Sequence, residues 1–171
     1  ASIDHLRMVG DRWGLAYSLN DLGMVLYVSG DSDAARELHE QSLAIFREIG
    51  DQRGVAFALT NLGTMAREAG ALIDARRFHE EALSIRQAIR HHWGIATNAI
   101  ALGGLARQAG EWDQARRLLL DALRIGNDIQ ALPCVLGALT EIVTLRYESG
   151  EWDTFTTVHA LSTVAAHPSC H

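Results

Sequence analysis

Lysine does not occur in these 171 residues: all 15 basic side chains are arginine, against 21 acids, and the formal net charge is −6. We read the arginine-only usage as compositional bias. The acidic balance argues against direct nucleic-acid contact, because phosphate contacts need a basic face. Prolines number two, which suits long helices. Cysteines also number two, Cys134 and Cys170, too few for a disulfide framework and in keeping with a reducing compartment. No apolar run reaches the ~18–20 residues of a membrane span, and no charged-then-apolar signal segment opens the chain. The expected location is the cytoplasm, without membrane contact. The first residue is Ala1 rather than Met, so the chain is expected to be part of a longer protein.

Glycine, by contrast, is plentiful and regularly placed. Of 15 glycines, Gly30, Gly70, Gly110 and Gly150 recur at a step of 40. Gly23, Gly63 and Gly103 keep that step, as do Gly14, Gly54 and Gly94. So do Leu22, Leu62, Leu102 and Ile142, then Leu19, Leu59, Ala99 and Leu139, then Ala35, Ala75 and Ala115. So many aligned positions mark an internal repeat, whose units bury their faces only against neighbours. With 48% hydrophobic residues the chain can fill such a core.

Each unit reads as two helices. In the second, Val55, Leu59, Leu62, Met65 and Ala66 give the three-and-four spacing of one apolar helical face. Asp51 is placed to cap the first helix, and Gly70 to end it in a left-handed turn. Ala75, Phe78, Ala82, Leu83, Ile85 and Ile89 line the second helix. No segment alternates with period two. Helices are expected near 11–29, 32–49, 51–69, 72–89, 92–109, 112–130, 133–149 and 152–166. A glycine inside a helix costs roughly 1 kcal/mol relative to alanine. Gly23, Gly63 and Gly103 therefore imply a close approach, with small Ala35, Ala75 and Ala115 as the matching residues.

Leu-Gly on the first helix, Gly at the turn and Ala on the second resemble the tetratricopeptide repeat over nearly the whole chain. That family's usual unit is 34 residues; the 40-residue form here resembles the repeats of kinesin light chain. The segments "GDRWGLAYSLNDLG", "ARELHEQSLAIFREIGDQRG" and "NLGTMAREAG" are also similar to the repeat regions of large bacterial LuxR-like and related multidomain transcription regulators. The resemblance implies an all-α fold, a right-handed superhelix of antiparallel hairpins that serves as a binding scaffold.

The expected organisation is the tail of a preceding repeat at 1–10, repeats at 11–49, 50–89 and 90–129, an atypical last repeat at 130–166, and a frayed tail at 167–171. Ser2 to Gly10 aligns with Ser42 to Gly50, Val143 replaces the helix glycine, Phe155 replaces the small alanine, and Pro168 stops the last helix. Ile3, Leu6 and Val9 form an apolar stripe at the N-terminal end, a candidate contact for a homodimer.

Catalytic and metal chemistry finds little support. No GxxxxGK[ST] phosphate loop, GxSxG elbow or HExxH pair occurs. Gly103-Gly104 follows no strand, and the adjacent Glu80 and Glu81 point to different sides of a helix. His39, His79 and His159 share one register and read as helix-packing residues, since stacked units hold equivalent positions roughly 10 Å apart. His91 and His92 fall at a turn. His167, Cys170 and His171 are three possible zinc ligands with no scaffold. Trp112 and Trp152 are expected to pack between hairpins, as are Trp13 and Trp93. No enzyme activity, metal or cofactor is expected.

Recognition is the function such a stack suggests. In tetratricopeptide stacks the first helices line the concave side, which makes the face opposite their packed leucines a candidate groove. It holds Tyr17, Asn20, Asp21, Met24 and Tyr27, then Phe57, Thr60, Asn61, Thr64 and Arg67. Thr97, Ile100, Ala101, Gly104 and Arg107 follow, and then Thr140, Glu141, Thr144 and Tyr147. Amides can pair with both groups of a peptide bond, and aromatics can anchor side chains. The carboxylate clamp of tetratricopeptide chaperone adaptors maps to Asn20, Met24, Asn61, Thr97 and Ala101; only Asn61 agrees, so that function is not expected. The favoured reading is a protein- or peptide-recognition scaffold within a bacterial transcriptional or signalling regulator. The alternatives are a structural spacer or oligomerisation module, and a small-molecule inducer sensor, which would need an enclosed pocket.

Overall fold

The computed structural model describes residues 10–150 together with Ile3 and Leu6. It contains α1 (Arg12–Val28), α2 (Ser32–Ile49), α3 (Gln52–Glu68), α4 (Leu72–Ala88), α5 (His92–Gln108), α6 (Trp112–Asp128) and α7 (Leu132–Glu148). Every expected helix in this range is present, with ends within two residues. No strand occurs among the described residues. The expected helix at 152–166, with Trp152, Phe155 and His159, lies outside them, as do Val9, Pro168 and the ligands His167, Cys170 and His171.

Local chemistry starts and stops each helix. Asp11, Asp31 and Asp51 accept hydrogen bonds from the backbone N–H groups of Gly14, Ala34 and Gly54, capping α1, α2 and α3. From α4 onward Ala71, His91, Glu111 and Ala131 hold the same place without a side-chain cap. Gly30, Gly70 and Gly110 turn the chain within hairpins at positive φ. Between hairpins Gly10 and Gly50 do so, but Arg90 and Gln130 adopt φ 52° and 53° at the matching positions. A side chain in that region costs roughly 1–2 kcal/mol. All four of these turns are closed by the same bond, from the N–H of Asp11, Asp51, His91 and Ala131 to the carbonyl of Leu6, Phe46, Arg86 and Gly126.

The helices pair as α1 with α2, α3 with α4, and α5 with α6, and each hairpin then stacks on the next; α7 packs on both α6 and α5. Successive first helices touch one another, whereas successive second helices make no comparable contact, so the first helices take the inner side of the stack. One core group joins Ala16, Phe46, Val55, Leu59, Leu62 and Ala82; others form around Leu102 and Leu105, and around Leu119 and Leu145. Burying a side chain such as Phe46 stabilises by about 2–3 kcal/mol.

The helix glycines do mark close approach, but their partners are not the alanines. A Cβ on Gly23 would lie 3.0 Å from the His39 ring, on Gly63 2.8 Å from His79, and on Gly103 2.6 Å from Leu119. Ala35, Ala75 and Ala115 are fully buried nearby. Gly14, Gly54 and Gly94 form a second such column: added carbons there would strike Leu6, Phe46 and Arg86, each eight residues earlier. One unit further the sizes reverse, with Gly126 facing Cys134.

Candidate binding face

Burial divides the expected groove residues into three groups. Asp21, Met24, Phe57, Thr140 and Tyr147 are exposed, Tyr147 at 70%. Tyr17, Tyr27, Thr60, Thr64, Arg67, Thr97, Ile100, Ala101, Arg107, Glu141 and Thr144 are half-buried. Asn20, Asn61 and Gly104 are buried, and for these the expectation of a solvent-facing groove position is corrected. The expected face was drawn one register too wide: it took in the side from which the second helices' histidines enter.

Those asparagines belong to an internal polar ladder. Asn20 Oδ1 lies 2.8 Å from His39 Nδ1 and accepts from Asn61 Nδ2 at 3.2 Å. One unit on, Asn98 Nδ2 lies 3.1 Å from His79 Nδ1 and within 3.4 Å of the Thr60 hydroxyl. His39 and His79 are thus fully buried packing residues with amide partners. Burial lowers both imidazole pKa values, that of His79 to about 4 with Arg67 and Arg86 adding repulsion. His79 Nε2, against Gly63, has no hydrogen-bond partner.

Several groove side chains are already engaged. The hydroxyls of Thr60, Thr64, Thr97, Thr140 and Thr144 each donate to the carbonyl four residues back. Arg107 bridges Glu141 at 3.1 Å and Glu148 at 2.7 Å. Burial and a hydrogen bond to Glu68 raise the Tyr27 pKa to about 12. Asp21, Met24 and Phe57 are left as accessible side chains of the inner helices, and Tyr147 is exposed as well.

Two cavities flank that face at successive junctions. The first lies among Trp13, Tyr17, Ile49, Gly50, Asp51 and Arg53, where Asp51 accepts from Trp13 Nε1 at 3.1 Å and Tyr17 Oη at 3.3 Å. The second, about 190 Å³, lies among Tyr17, Arg53, Ala56, Phe57, Arg86, Ile89, His91 and Trp93. Trp13 and Trp93, 59% and 49% exposed, therefore line open pockets rather than packing between hairpins. Trp112 is also partly open to solvent. Burial, then Arg86, Arg53 and His92, lower the His91 pKa. Arg86 and its pocket escaped the sequence reading. The signal was available in the column Leu6, Phe46, Arg86, Gly126, which places one cation among apolar residues.

Residues 14–88 match the family model for the tetratricopeptide repeat. Among solved structures, BtubC (BKLC) from P. vanneervenii is similar with a TM-score of 0.77 at 20% identity, over 92% of this chain and 66% of its own. A Podosopora anserina protein described as a kinesin light chain, with nearly identical TPR-like repeats, gives a TM-score of 0.67 at 18% identity, over 90% of this chain and 77% of its own. At such identities the likeness shows the fold, and the chain spans 66% of the length of BtubC. No curated protein matches the sequence. The fold is that of helical-repeat proteins. The tetratricopeptide repeat that residues 14–88 match generally mediates protein–protein interaction, on a typically non-catalytic fold. No described helix is long and apolar enough to cross a membrane.

Proposed function

We propose that the chain is a protein- or peptide-recognition scaffold that uses its inner face, within a bacterial transcriptional or signalling regulator in the cytoplasm. The observation that carries the recognition reading is the accessible set Asp21, Met24, Phe57 and Tyr147 on the inner helices, next to half-exposed Trp13 and Trp93. Large side chains held open on a rigid helical array are what a partner's side chains can dock against. The regulator context is supported by the sequence segments similar to such proteins. Selection from a displayed peptide library tests the reading. Enriched peptides should perturb the amide resonances of Met24 and Phe57, and Phe57→Ala should weaken binding by at least about tenfold. Failure to enrich any sequence, or perturbations confined to the second helices, would count against it.

A second reading, association of copies, draws on exposed apolar side chains of α1. Leu22 and Val25 are 38% and 60% exposed, whereas Leu62 and Met65, one step of 40 later, are 3% and 5%. Half-buried Ile3 and Leu6 stand at the same end of the array. Light scattering across a concentration series tests this: a dimer lost in Val25→Glu supports it, and a monomer at high micromolar concentration rejects it.

A further inference from the structure

Arg86 is only 5% exposed, yet among the described residues no carboxylate pairs with it. It donates to two backbone carbonyls, Gly94 O at 3.0 Å from Nη1 and Ala56 O at 3.5 Å from Nη2. A guanidinium carries five N–H donors and is not deprotonated in proteins. Carbonyl dipoles compensate a buried cation only in part, and removing such a charge from water is costly. Repeat packing does not require it, because Phe46 fills the same place over Gly54 one unit earlier. A buried arginine with no carboxylate beside it, at a place the fold fills with phenylalanine one unit earlier, calls for a ligand.

The surroundings say which ligand. Arg86 lines the 190 Å³ cavity together with Arg53 and the aromatic walls Tyr17, Phe57 and Trp93, and no acidic residue lines it. The equivalent cavity one unit earlier carries Asp51 where this one carries His91. Asp51 is itself occupied by Gly54 N–H, Trp13 and Tyr17. The volume is below the ~300–1,000 Å³ of drug-sized sites, so it takes a group the size of one side chain.

We propose that the pocket between the second and third hairpins binds a carboxylate carried on an apolar or aromatic stem, with Arg86 as the buried anchor and Arg53 as the second cation. A guanidinium pairs with a carboxylate through two parallel N–H···O bonds, and the aromatic walls take the stem. None of the positions of the chaperone-adaptor clamp takes part. The carboxylate comes either from a free small acid or from an acidic side chain of a peptide in the groove. Only the second source rests on the recognition reading above.

Titration of the isotopically labelled chain tests both sources, read at the Trp93 indole N–H and the Gly94 amide. The free-acid arm uses phenylacetate against phenylacetamide. The peptide arm uses an acetylated, amidated Ala-Phe-Glu-Ala against its Gln counterpart. A saturable shift with the acid and not with its amide, in either arm, supports the pocket; the arm that responds identifies the source. Arg86→Phe, a residue the preceding unit already accommodates, should weaken that binding at least about tenfold, and Arg53→Ala should weaken it less. If acid and amide act alike, if Arg86→Phe and Arg86→Met both bind as well as the parent, or if neither acid saturates by about 20 mM, the proposal fails. Binding of phenylacetate with no peptide enriched on the inner face would retain the pocket and reject the peptide-recognition reading.

Discussion

At the junction of the first and second hairpins an aromatic ring, Phe46, closes over Gly54; at the next junction a guanidinium, Arg86, occupies the same place over Gly94. The first junction turns on Gly50 and is capped by Asp51, while the second turns on Arg90 at positive φ and has uncapped His91. The backbone path is nevertheless the same, closed by the same long-range turn bond. Packing of the helix faces thus holds the repeat geometry where turn and cap chemistry has been given up. The comparison teaches that the first junction is built for stability, whereas the second tolerates a left-handed side chain and a buried cation bonded to backbone carbonyls.

Phe46→Ala should show the largest effect, a loss of about 3–5 kcal/mol from a fully buried ring. Arg86→Ala should cost much less, because it also removes a desolvated charge; urea unfolding of both checks the contrast. Equal losses at the two sites would break it.

Acid should act next. The folded-state pKa of His79, about 4, lies below its unfolded value of 6.5, so the unfolded chain takes up the proton first. This group's contribution is complete above about pH 6.5 and is lost as pH falls toward 4, amounting to roughly 3 kcal/mol. The urea midpoint should fall across that window, and fall less steeply in His79→Leu, since Leu119 holds the corresponding place against Gly103. An unchanged slope would show that the histidine titrates freely.

Gly54→Ala should destabilise by roughly 1–3 kcal/mol, because the new carbon meets the Phe46 ring. In the Phe46→Ala background the same change should cost far less, since the ring is gone. Additive losses in that double-mutant cycle would mean that the glycine serves something other than the ring. The smallest effect is a gain: Arg90→Gly should raise stability by about 0.5–1 kcal/mol by relieving a left-handed side chain, seen as a higher melting temperature.

Much of this architecture was legible before any coordinates. The step of 40 in Gly30, Gly70 and Gly110 located the turns, and the apolar spacing of Val55, Leu59 and Leu62 located a buried face. The candidate face was legible only in part. Asp21, Met24, Phe57 and Tyr147 are exposed, but Asn20 and Asn61 are buried, because polarity alone does not distinguish a solvated amide from one bonded inside the stack. Trp13 and Trp93 were misplaced for the converse reason, since an indole can pack in a core or form the wall of an open pocket.

By itself the sequence determined the local and periodic features: helix lengths from the 3.6-residue spacing of apolar side chains, turns from glycines free to take positive φ, and stacking from units that cannot bury their faces alone. Only the tertiary structure decided which side chain enters which glycine's space, that His39 and His79 pair with Asn20 and Asn98, and that Arg86 is buried without a carboxylate beside aromatic walls. Those outcomes depend on contacts between different helices, whose distances are set by how the hairpins lie on one another. Periodicity specifies that a face is buried; the packing of neighbouring units specifies what it is buried against.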